Sequence, residues 1–334
     1  MIRLSQADAR ALAVTALVRH GMPASDAEDV AAHLVDAMVT GHAFAGLPRV
    51  PAIVAELVRK GPGGPIRVTR QTPVSATIDG GDVNGYVVSL AAADKAIEIA
   101  GASGIAVVGA CNTWFSGRLA YYVERIARAG FIAMHTANTA ARVAPFGGAD
   151  RVLGTNPVAF AFPCGDEPVI LDIGTSGVTW GEALLRQATG RPLDPGTAID
   201  ADGRETTDPE LALAGAFLTW GGVRGSCLAL AAQLLGILAG SDPVLHETRN
   251  SGFFFLAFKP DLLMPADKFQ DRVAHLREAV RRSRPAAGHA EVRMPGDRSQ
   301  QARRAHGAGE VEVDPLVYQR LLALSGARFD AVSV

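Results

Sequence analysis

From residue 75 onward, short apolar runs alternate with amphipathic segments, and this alternation most limits what the chain can fold into. The runs GIAVVGA at 104–110 and FIAMHTA at 131–137 have the length of buried strands. Helical periodicity fills the neighbouring segments at 89–100 and 118–130. Strands that alternate with helices of about ten to fifteen residues are typical of an α/β sheet. The sequence therefore predicts an α/β domain as the main body of the chain.

Two further apolar runs and one helix belong to the same predicted domain. VILDIG at 169–174 and SGFFFLAF at 251–258 are predicted strands, and the second is too aromatic for an exposed sheet edge. The segment 226–240 predicts a mostly buried helix. Its apolar stretch of about 13 residues is too short to span a bilayer.

Both chain ends are predicted to be helical. Ser5 is placed to cap a helix over 5–20, and Asp314 caps a final helix over 314–324. The string GPGGP at 61–65 indicates a boundary. We expect three stretches: 1–70 as a helical N-terminal part, 71–245 as the α/β domain, and 246–334 as a strand, a surface helix and a C-terminal helix that complete the fold.

Charge and cysteine content exclude several classes of partner. Lys and Arg number 32 against 34 Asp and Glu, a formal charge of −2, which gives no electrostatic reason to expect nucleic acid or an anionic membrane surface. The three cysteines lie far apart without the spacing of metal ligands, so neither a metal site nor a disulfide framework is expected. The first residues lack the apolar core of a signal peptide. We expect a cytoplasmic protein that acts on a small molecule.

The common phosphate-binding and catalytic motifs are absent from the sequence. GASG at 101–104 precedes a predicted strand, whereas the glycine fingerprint of a Rossmann dinucleotide site follows one. Zinc-protease, nucleophile-elbow and P-loop strings do not occur either. A Rossmann site is therefore not expected.

Three other strings combine glycine with polar residues where a ligand can bind. GTNPVAFAFP at 154–163 predicts a tight turn that feeds a strand, either an ordinary turn or one whose amides face a ligand. Asp172 lies within an apolar strand, where a carboxylate needs a partner, so it is either structural or orients a ligand. GGVRGS at 221–226 precedes a helix, so its amides and Arg224 are placed to bind an anion.

Together these strings resemble the type-2 malate/L-lactate dehydrogenase family, which includes ureidoglycolate dehydrogenase, diketogulonate reductase and the piperideine-2-carboxylate/pyrroline-2-carboxylate reductases. The resemblance keeps order and spacing nearly from end to end, over GH…GLPRV (41–50), GIAVVGACN (104–112), PFGG (145–148), GTNPVAFAFP (154–163), LDIGTS (171–176), DADGRETTDP (200–209), GGVRGS (221–226) and RMPGDR (293–298). It implies a non-Rossmann nicotinamide-binding sheet domain over 71–245 and a second, mostly helical domain built from both chain ends. In this second domain 1–70 is the helical N-terminal part and serves substrate binding and dimerisation. The resemblance also implies a homodimer, and NADP or NAD as cofactor.

The resemblance also assigns roles to individual residues. Cofactor binding is expected at Thr139, Asn156, Asp172, Ile173, Gly174, Arg224, Gly296, Asp297 and Arg298. A substrate pocket is expected from His42, Phe44, Ala45, Arg49, Trp114, Phe115 and Arg118. The expected catalytic residues are Arg49, Asp172 and Ser116, with Arg49 holding a substrate carboxylate.

Two departures from the family pattern affect the chemistry. The family string Gly-x-x-Ser-His-Gly-x-x-Arg appears here at 41–49 with Phe44 in place of Ser and Ala45 in place of the catalytic His. A second family histidine is replaced by Phe115. Both usual imidazoles are therefore missing.

Three readings of this loss are open. A reductase of protonated imines needs no proton donor, so the loss costs that chemistry little. A 2-oxo acid reductase must protonate an alkoxide, so His42 or Asp172 would have to substitute for the missing acid. A third reading is a non-catalytic member that only binds NAD(P).

The residues near the missing histidines also have possible structural roles. His42 is either that substitute or an ordinary packed or surface histidine. Trp114 and Phe115 point to opposite sides of a strand, so one of them is expected to line the pocket.

Overall fold

The computed structural model describes residues 1–307 and 309–326, which form two compact units. A sheet unit comprises Pro65–Phe269, and a helical unit combines Met1–Gly64 with the chain from Gln270 onward. The expected architecture, a sheet domain plus a mostly helical domain made from both chain ends, is confirmed. The boundaries differ from the expected 71–245, because the residues up to Phe269, including the aromatic strand, belong to the sheet unit.

The sheet unit is built on a seven-stranded mixed sheet in the order β2-β3-β4-β10-β5-β6-β7. Among these strands only β3 and β4 pair in parallel, and the other neighbours are antiparallel. The strands are β2 (Arg67–Thr72), β3 (Ser75–Asn84), β4 (Ile105–Trp114), β5 (Ile132–Ala137), β6 (Val158–Phe162), β7 (Val169–Ile173) and β10 (Phe253–Phe258). A second, two-stranded sheet pairs β8 (Ala198–Ile199) with β9 (Ala216–Phe217).

The aromatic strand β10 lies in the middle of the large sheet. Phe255 pairs with Val108 of β4 on one side and with His135 of β5 on the other. Phe253 and Phe255 are fully enclosed in the core. The prediction that this strand is not an exposed edge is confirmed, because its large aromatic surface is removed from water.

Five helices belong wholly to the sheet unit: α4 (Gly85–Ser103), α5 (Ala120–Arg128), α6 (Trp180–Thr189), α7 (Pro209–Ala214) and α8 (Val223–Leu238). Helices α4 and α5 contact each other and the strands. Helix α8 also contacts β4, β5 and β10, but its other face is open, with Leu230, Leu234 and Leu238 exposed. The prediction that this helix is mostly buried is therefore wrong, because strong hydrophobicity does not reveal how many sides of a helix are covered.

The helical unit joins the two chain ends through a short sheet. Strand β1 (Ile2–Ser5) pairs antiparallel with β11 (Glu310–Val313), the two ends of the unit in sequence. The helices are α1 (Gln6–Arg19), α2 (Ala24–Val39), α3 (Val50–Lys60), α10 (Asp297–His306) and α11 (Pro315–Ser325), and α9 (Ala266–Arg281) leads into the unit.

The predicted caps at both ends of the chain hold. Ser5 Oγ accepts the backbone N–H of Asp8, and Asp314 accepts those of Leu316 and Val317. Side-chain oxygens at these positions satisfy amides that the first helical turn leaves without partners. Within the described residues, no helix combines the length and hydropathy needed to cross a membrane.

Candidate functional site

Four polar residues of the sheet unit, Thr139, Thr155, Asn156 and Thr175, form a hydrogen-bonded group that we call the turn cluster. The backbone N–H of Thr155 donates to Thr139 Oγ1 at 2.9 Å, and the N–H of Thr139 donates to Asn156 Oδ1 at 3.2 Å. Thr175 Oγ1 donates to the carbonyl of Thr155 at 2.8 Å. These bonds hold the GTNP turn against the end of β7.

Asn156 lies at the centre of the turn cluster, and both polar atoms of its side chain have hydrogen-bond partners. Its Nδ2 donates to the carbonyl of Ala229 at 3.0 Å and to Gln233 Oε1 at 2.8 Å, both on α8. Its backbone φ of 29° lies in the left-handed region that asparagine tolerates better than most residues. With 0% of its surface exposed, it has no free face for a ligand. The Asn156 side chain thus shapes the turn, and contact between this residue and a cofactor stays a prediction.

The turn cluster continues to other residues predicted to bind cofactor. The N–H of Trp220 donates to the carbonyl of Thr175 at 3.2 Å, and its indole Nε1 donates to the carbonyl of Gly174 at 2.7 Å. Gly174 and Ile173 are exposed, and exposed Arg224 lies in the first turn of α8. Thr139, Gly174 and Arg224 are thus tied to one surface. Sequence reasoning missed Trp220, whose signal is an aromatic residue directly before the Gly-Gly turn of a helix N-terminus.

Asp172 has the partner that its place in an apolar strand requires. Its Oδ2 accepts the backbone N–H of Ala120 at 2.8 Å, at the start of α5. Asp172 as a whole residue is exposed at the end of β7, but desolvation of its carboxyl group raises its pKa, while the N–H groups of Ala120 and Leu119 and the charge of Arg118 act in the opposite direction. Asp172 thereby brings the end of β7 next to the segment that carries Arg118.

Of the two adjacent aromatic residues at the end of β4, Phe115 is the one that faces outward. Trp114 is 0% exposed, its Nε1 donates to the carbonyl of Asp82 at 3.0 Å, and its ring packs edge-on against Phe115 at 5.0 Å. Phe115 is half-buried. The side chain of Trp114 belongs to the core, whereas that of Phe115 is partly exposed, and the expected place of Trp114 in a substrate pocket stays a prediction. Ser116 is also buried, with its carbonyl accepting from the Tyr122 hydroxyl.

In the helical unit, a cavity of about 680 Å³ lies at the N-terminus of α10, and we call it the α10 cavity. Predicted residues His42, Gly296 and Arg298 line it, together with Ser299 and the segments 288–291 and 293–295. His42 Nε2 lies 3.1 Å from Ser299 Oγ. Arg298 is exposed and, within the described part of the chain, has no acidic partner. This volume falls within the range of small-molecule pockets.

Asp297 holds the loop that borders the α10 cavity. Arg281 donates to both carboxylate oxygens, at 2.5 and 3.1 Å, and the N–H of Met294 donates to Oδ2 at 2.9 Å. Burial alone would raise the pKa of Asp297, but the hydrogen bonds from Arg281 and Met294 outweigh it and lower that pKa. These bonds fix the loop that carries Gly296 and Arg298.

The remaining predicted substrate residues flank His42 in the chain. Phe44 is exposed and meets the His42 ring edge-on at 6.5 Å between centroids. Ala45 is only 7% exposed, and half-buried Arg49 ends a 3-10 turn, Leu47–Arg49. Neither Ala45 nor Arg49 lines the α10 cavity. The predicted residues therefore fall into two groups, one in each unit.

The residues of both groups suit an anionic ligand, such as the phosphates of a dinucleotide. Arg298 and Arg224 each lie in the first turn of a helix, where backbone amides and the helix dipole favour anions. Gly296, with φ of 85°, adopts the left-handed conformation that lets the loop turn into α10 without a side chain. Each unit thus holds an arginine placed to bind an anion.

Comparison with known proteins identifies the class of molecule. The family model described as malate/L-lactate dehydrogenase matches residues 4–322. The (2R)-3-sulfolactate dehydrogenase (NADP(+)) of Chromohalobacter salexigens is 31% identical over 97% of this chain and 98% of its own length.

Solved structures agree with this match. The sulfolactate dehydrogenase of Methanocaldococcus jannaschii superposes with a TM-score of 0.87 at 31% identity, covering 98% of this chain and 97% of that one. The delta1-piperideine-2-carboxylate reductase of Pseudomonas syringae pv. tomato gives 0.86 at 25% identity, covering 97% and 100%. The chain therefore belongs to the malate/L-lactate dehydrogenase family and is an oxidoreductase.

Proposed function

We propose that the protein is an NAD(P)H-dependent reductase of a small C=N substrate, with a cyclic imine carboxylate as the first choice. The observation that carries this proposal is the pair of replacements at the family's histidine positions. The side chains of Ala45 and Phe115 carry no titratable proton, so neither position offers an acid to a substrate. The chemistry that best tolerates both replacements is one that needs no acid.

Proton balance separates imine reduction from carbonyl reduction. Hydride addition to a protonated imine gives a neutral amine, and the nitrogen already carries its proton. Hydride addition to a 2-oxo acid gives an alkoxide, which needs a proton donor that contributes about 10²–10⁴ to the rate. The similarity to delta1-piperideine-2-carboxylate reductase also supports the imine class.

The side chains near the missing histidines suit a cationic, carboxylated substrate. In this proposal Arg49 binds the substrate carboxylate as a two-pronged hydrogen-bond donor. The ring of Phe115 offers an apolar and weakly cation-attracting face. Asp172 orients the amine or the nicotinamide carboxamide from the end of β7.

The proposed cofactor is NADP or NAD, which supplies the hydride when bound. Arg298 and Gly296 at the α10 cavity, and Thr139, Gly174 and Arg224 beside the turn cluster, are the residues proposed to hold it. Arg224 and Arg298 carry the charges suited to its phosphates. The printed name of the Chromohalobacter relative, which specifies NADP(+), supports a nicotinamide cofactor.

A second candidate, reduction of a 2-oxo acid, is favoured by the position of His42. Its imidazole lines the α10 cavity with Nε2 within hydrogen-bond distance of Ser299 Oγ. An imidazole in that place is available as a proton donor, which the imine reaction does not need.

A substrate panel with restored histidine distinguishes the two candidates. Purified protein with NADH or NADPH is assayed on cyclic imine carboxylates and on 2-oxo acids, alongside the variant Phe44→Ser with Ala45→His. For an imine reductase we expect activity on cyclic imines, no gain from the restored histidine, and a rate that falls as the pH rises through the imine's own pKa. For a 2-oxo acid reductase, the restored histidine should raise the rate by up to about 10²–10⁴.

The variant His42→Asn adds a control for the second candidate. It should lower 2-oxo acid reduction far more than imine reduction, because only the first reaction needs a proton donor. Activity on 2-oxo acids alone, lost in His42→Asn, would contradict the imine proposal.

We also propose that the protein works in the cytoplasm as a homodimer. Val223, Leu230, Leu234 and Leu238 follow one face of α8 and are exposed, and α6 adds exposed Leu184 and Leu185. An apolar surface of this kind on a globular protein typically marks an interface. Light scattering that gives the mass of one chain in an active sample would contradict the dimer.

A further inference from the structure

The segment 115–119, between β4 and α5, has no regular secondary structure, yet it carries Phe115, Ser116 and Arg118. The proposed function gives Phe115 a face toward the substrate, and the family resemblance places Arg118 in the same pocket. A segment without backbone pairing of its own depends on bonds from neighbouring elements to hold its side chains in place. Residues of β7, α4 and α5 hold the segment in this way.

One end of the segment is held by Asp172. Its carboxylate accepts the N–H groups of Ala120, at 2.8 Å, and of Leu119. This bond fixes the point where the segment turns into α5, but it does not reach the part that precedes Arg118.

The inner side of the segment is held by Tyr122. Its hydroxyl donates to the carbonyl of Ser116 at 2.6 Å, and the side chain is fully buried. The ring is enclosed edge-on by His135, at 5.7 Å between centroids, and by Phe255, at 6.5 Å. Burial raises the pKa of Tyr122 well above its ordinary value, so the hydroxyl keeps its proton and remains a donor throughout the physiological range.

Tyr86 supports the next residue along the segment. A Cβ added at Gly117 would lie 2.7 Å from Tyr86 Cζ and 2.8 Å from its hydroxyl oxygen. Gly117 also has a φ of 73°, a conformation that residues with side chains rarely adopt. The backbone of 116–117 therefore rests directly on two tyrosines, with no room between them for adjustment.

We propose that Tyr122 is a positioning residue of the reductase: its hydroxyl fixes the backbone at Ser116 and thereby the placement of Phe115 and Arg118 toward the substrate. This inference rests on the proposed function. Where the family has a histidine, Phe115 acts by contact alone, so its position depends on the backbone that carries it and on the edge-on packing against Trp114. Tyr122 itself touches neither substrate nor cofactor in this proposal.

The test compares Tyr122→Phe with Tyr318→Phe. Tyr318 is buried in the helical unit, and its hydroxyl has no hydrogen-bond partner within the described residues, so its removal is a matched loss of one buried oxygen. Steady-state kinetics at saturating NADPH are measured on whichever panel substrate the wild type reduces best, and cofactor affinity is measured by nicotinamide fluorescence. In Tyr122→Phe we expect the substrate KM to rise by about fivefold or more, with the cofactor Kd within about twofold of wild type.

Gly117→Ala serves as a second variant that moves the same backbone while the Tyr122 hydroxyl stays in place. It should raise the substrate KM in the same direction, and Tyr318→Phe should leave it unchanged. Hydrogen exchange of the peptide that covers 115–119 should increase in Tyr122→Phe and stay as in wild type in Tyr318→Phe.

The outcomes separate the two proposals. A purely structural role for Tyr122 would lower the amount of active protein and leave the substrate KM unchanged, which would overturn this inference alone. A wild type that reduces no compound of the panel would overturn the proposed function and, with it, the role of Tyr122.

Discussion

The turn cluster and the α10 cavity both contain residues that the sequence assigns to cofactor binding, but they use their polar groups in opposite ways. In the turn cluster, Asn156 is fully buried and engages Thr139, Ala229 and Gln233. At the α10 cavity, Arg298 is exposed, without an acidic partner in the described part of the chain. Polar groups that satisfy one another stabilise shape, whereas open ones remain available to a ligand.

Substitutions in the two regions should therefore change different measured quantities. A substitution in a closed group leaves its former partners unpaired in the core, so it should lower the free energy of unfolding. A substitution in an open group removes nothing from the fold, so it should change ligand affinity alone.

His135 is a fully buried histidine of the sheet unit and should show the largest effect. Its ring stacks on Phe255 at 3.8 Å between centroids, Nδ1 lies 3.0 Å from the carbonyl of Phe254, and burial lowers the pKa of His135 to about 3. The unfolded chain binds a proton there near pH 6.5, so between the two pKa values the unfolded state binds more protons than the folded one. The folded state should therefore lose about 2 kcal/mol between pH 6.5 and 5, and on the order of 5 kcal/mol by pH 3.

Urea unfolding at a series of pH values measures this loss. His135→Phe keeps an aromatic ring against Phe255 but cannot titrate, so its stability should fall less steeply below pH 6.5 than that of wild type. His275→Gln, which changes an exposed histidine of α9, should keep the wild-type slope. Equal slopes in wild type and His135→Phe would show that His135 is already charged in the folded protein.

Asn156→Ala should have the next largest effect. The change leaves the N–H of Thr139 and the side chain of Gln233 without their partners in the core, and we expect a loss of about 3 kcal/mol in the free energy of unfolding. Urea unfolding at constant pH measures it. A loss no larger than that of Arg298→Ala would mean that the turn cluster is not closed, and the comparison would fail.

Arg298→Ala and Arg224→Ala should have the smallest effect on the free energy of unfolding. Their main effect should be on cofactor affinity. Each removes an exposed guanidinium from the first turn of a helix, so unfolding should change by less than about 0.5 kcal/mol. The cofactor Kd, measured by nicotinamide fluorescence, should rise by about tenfold or more in each, as expected for loss of a charge-assisted hydrogen bond. An unchanged Kd would remove that arginine from the proposed site.

Much of the architecture can be predicted from the sequence because period and composition determine it locally. The alternation over 89–137 predicts α4, β4, α5 and β5, and the aromatic content of 251–258 predicts an interior strand. Neither feature reveals the order of strands, since pairing between distant segments depends on contacts that no local pattern encodes. The central place of β10 is therefore known only from the structure.

The sequence names the residues expected at the candidate site, but it does not show which of them are buried. Alternation requires that Trp114 and Phe115 point to opposite sides, but only the packed core decides that Trp114 is the inner one. Asn156 carries the family's motif and still turns inward, because α8 offers it an acceptor at Gln233. The open face of α8 has the composition of a buried helix, so sequence alone does not distinguish an interface from a core.

The place of β10 in the sheet also affects how the protein is made. Strands β2 to β4 and β5 to β7 leave the ribosome well before residues 253–258, yet β10 lies between these two sets and pairs with both β4 and β5. The growing chain therefore holds two incomplete half-sheets, and the edges at β4 and β5 that β10 pairs in the finished sheet stay open until β10 emerges. Exposed strand edges of this kind invite association between unfinished chains. A ribosome that stalls before residue 253 would release a fragment that contains most of the sheet and lacks the strand that joins its halves.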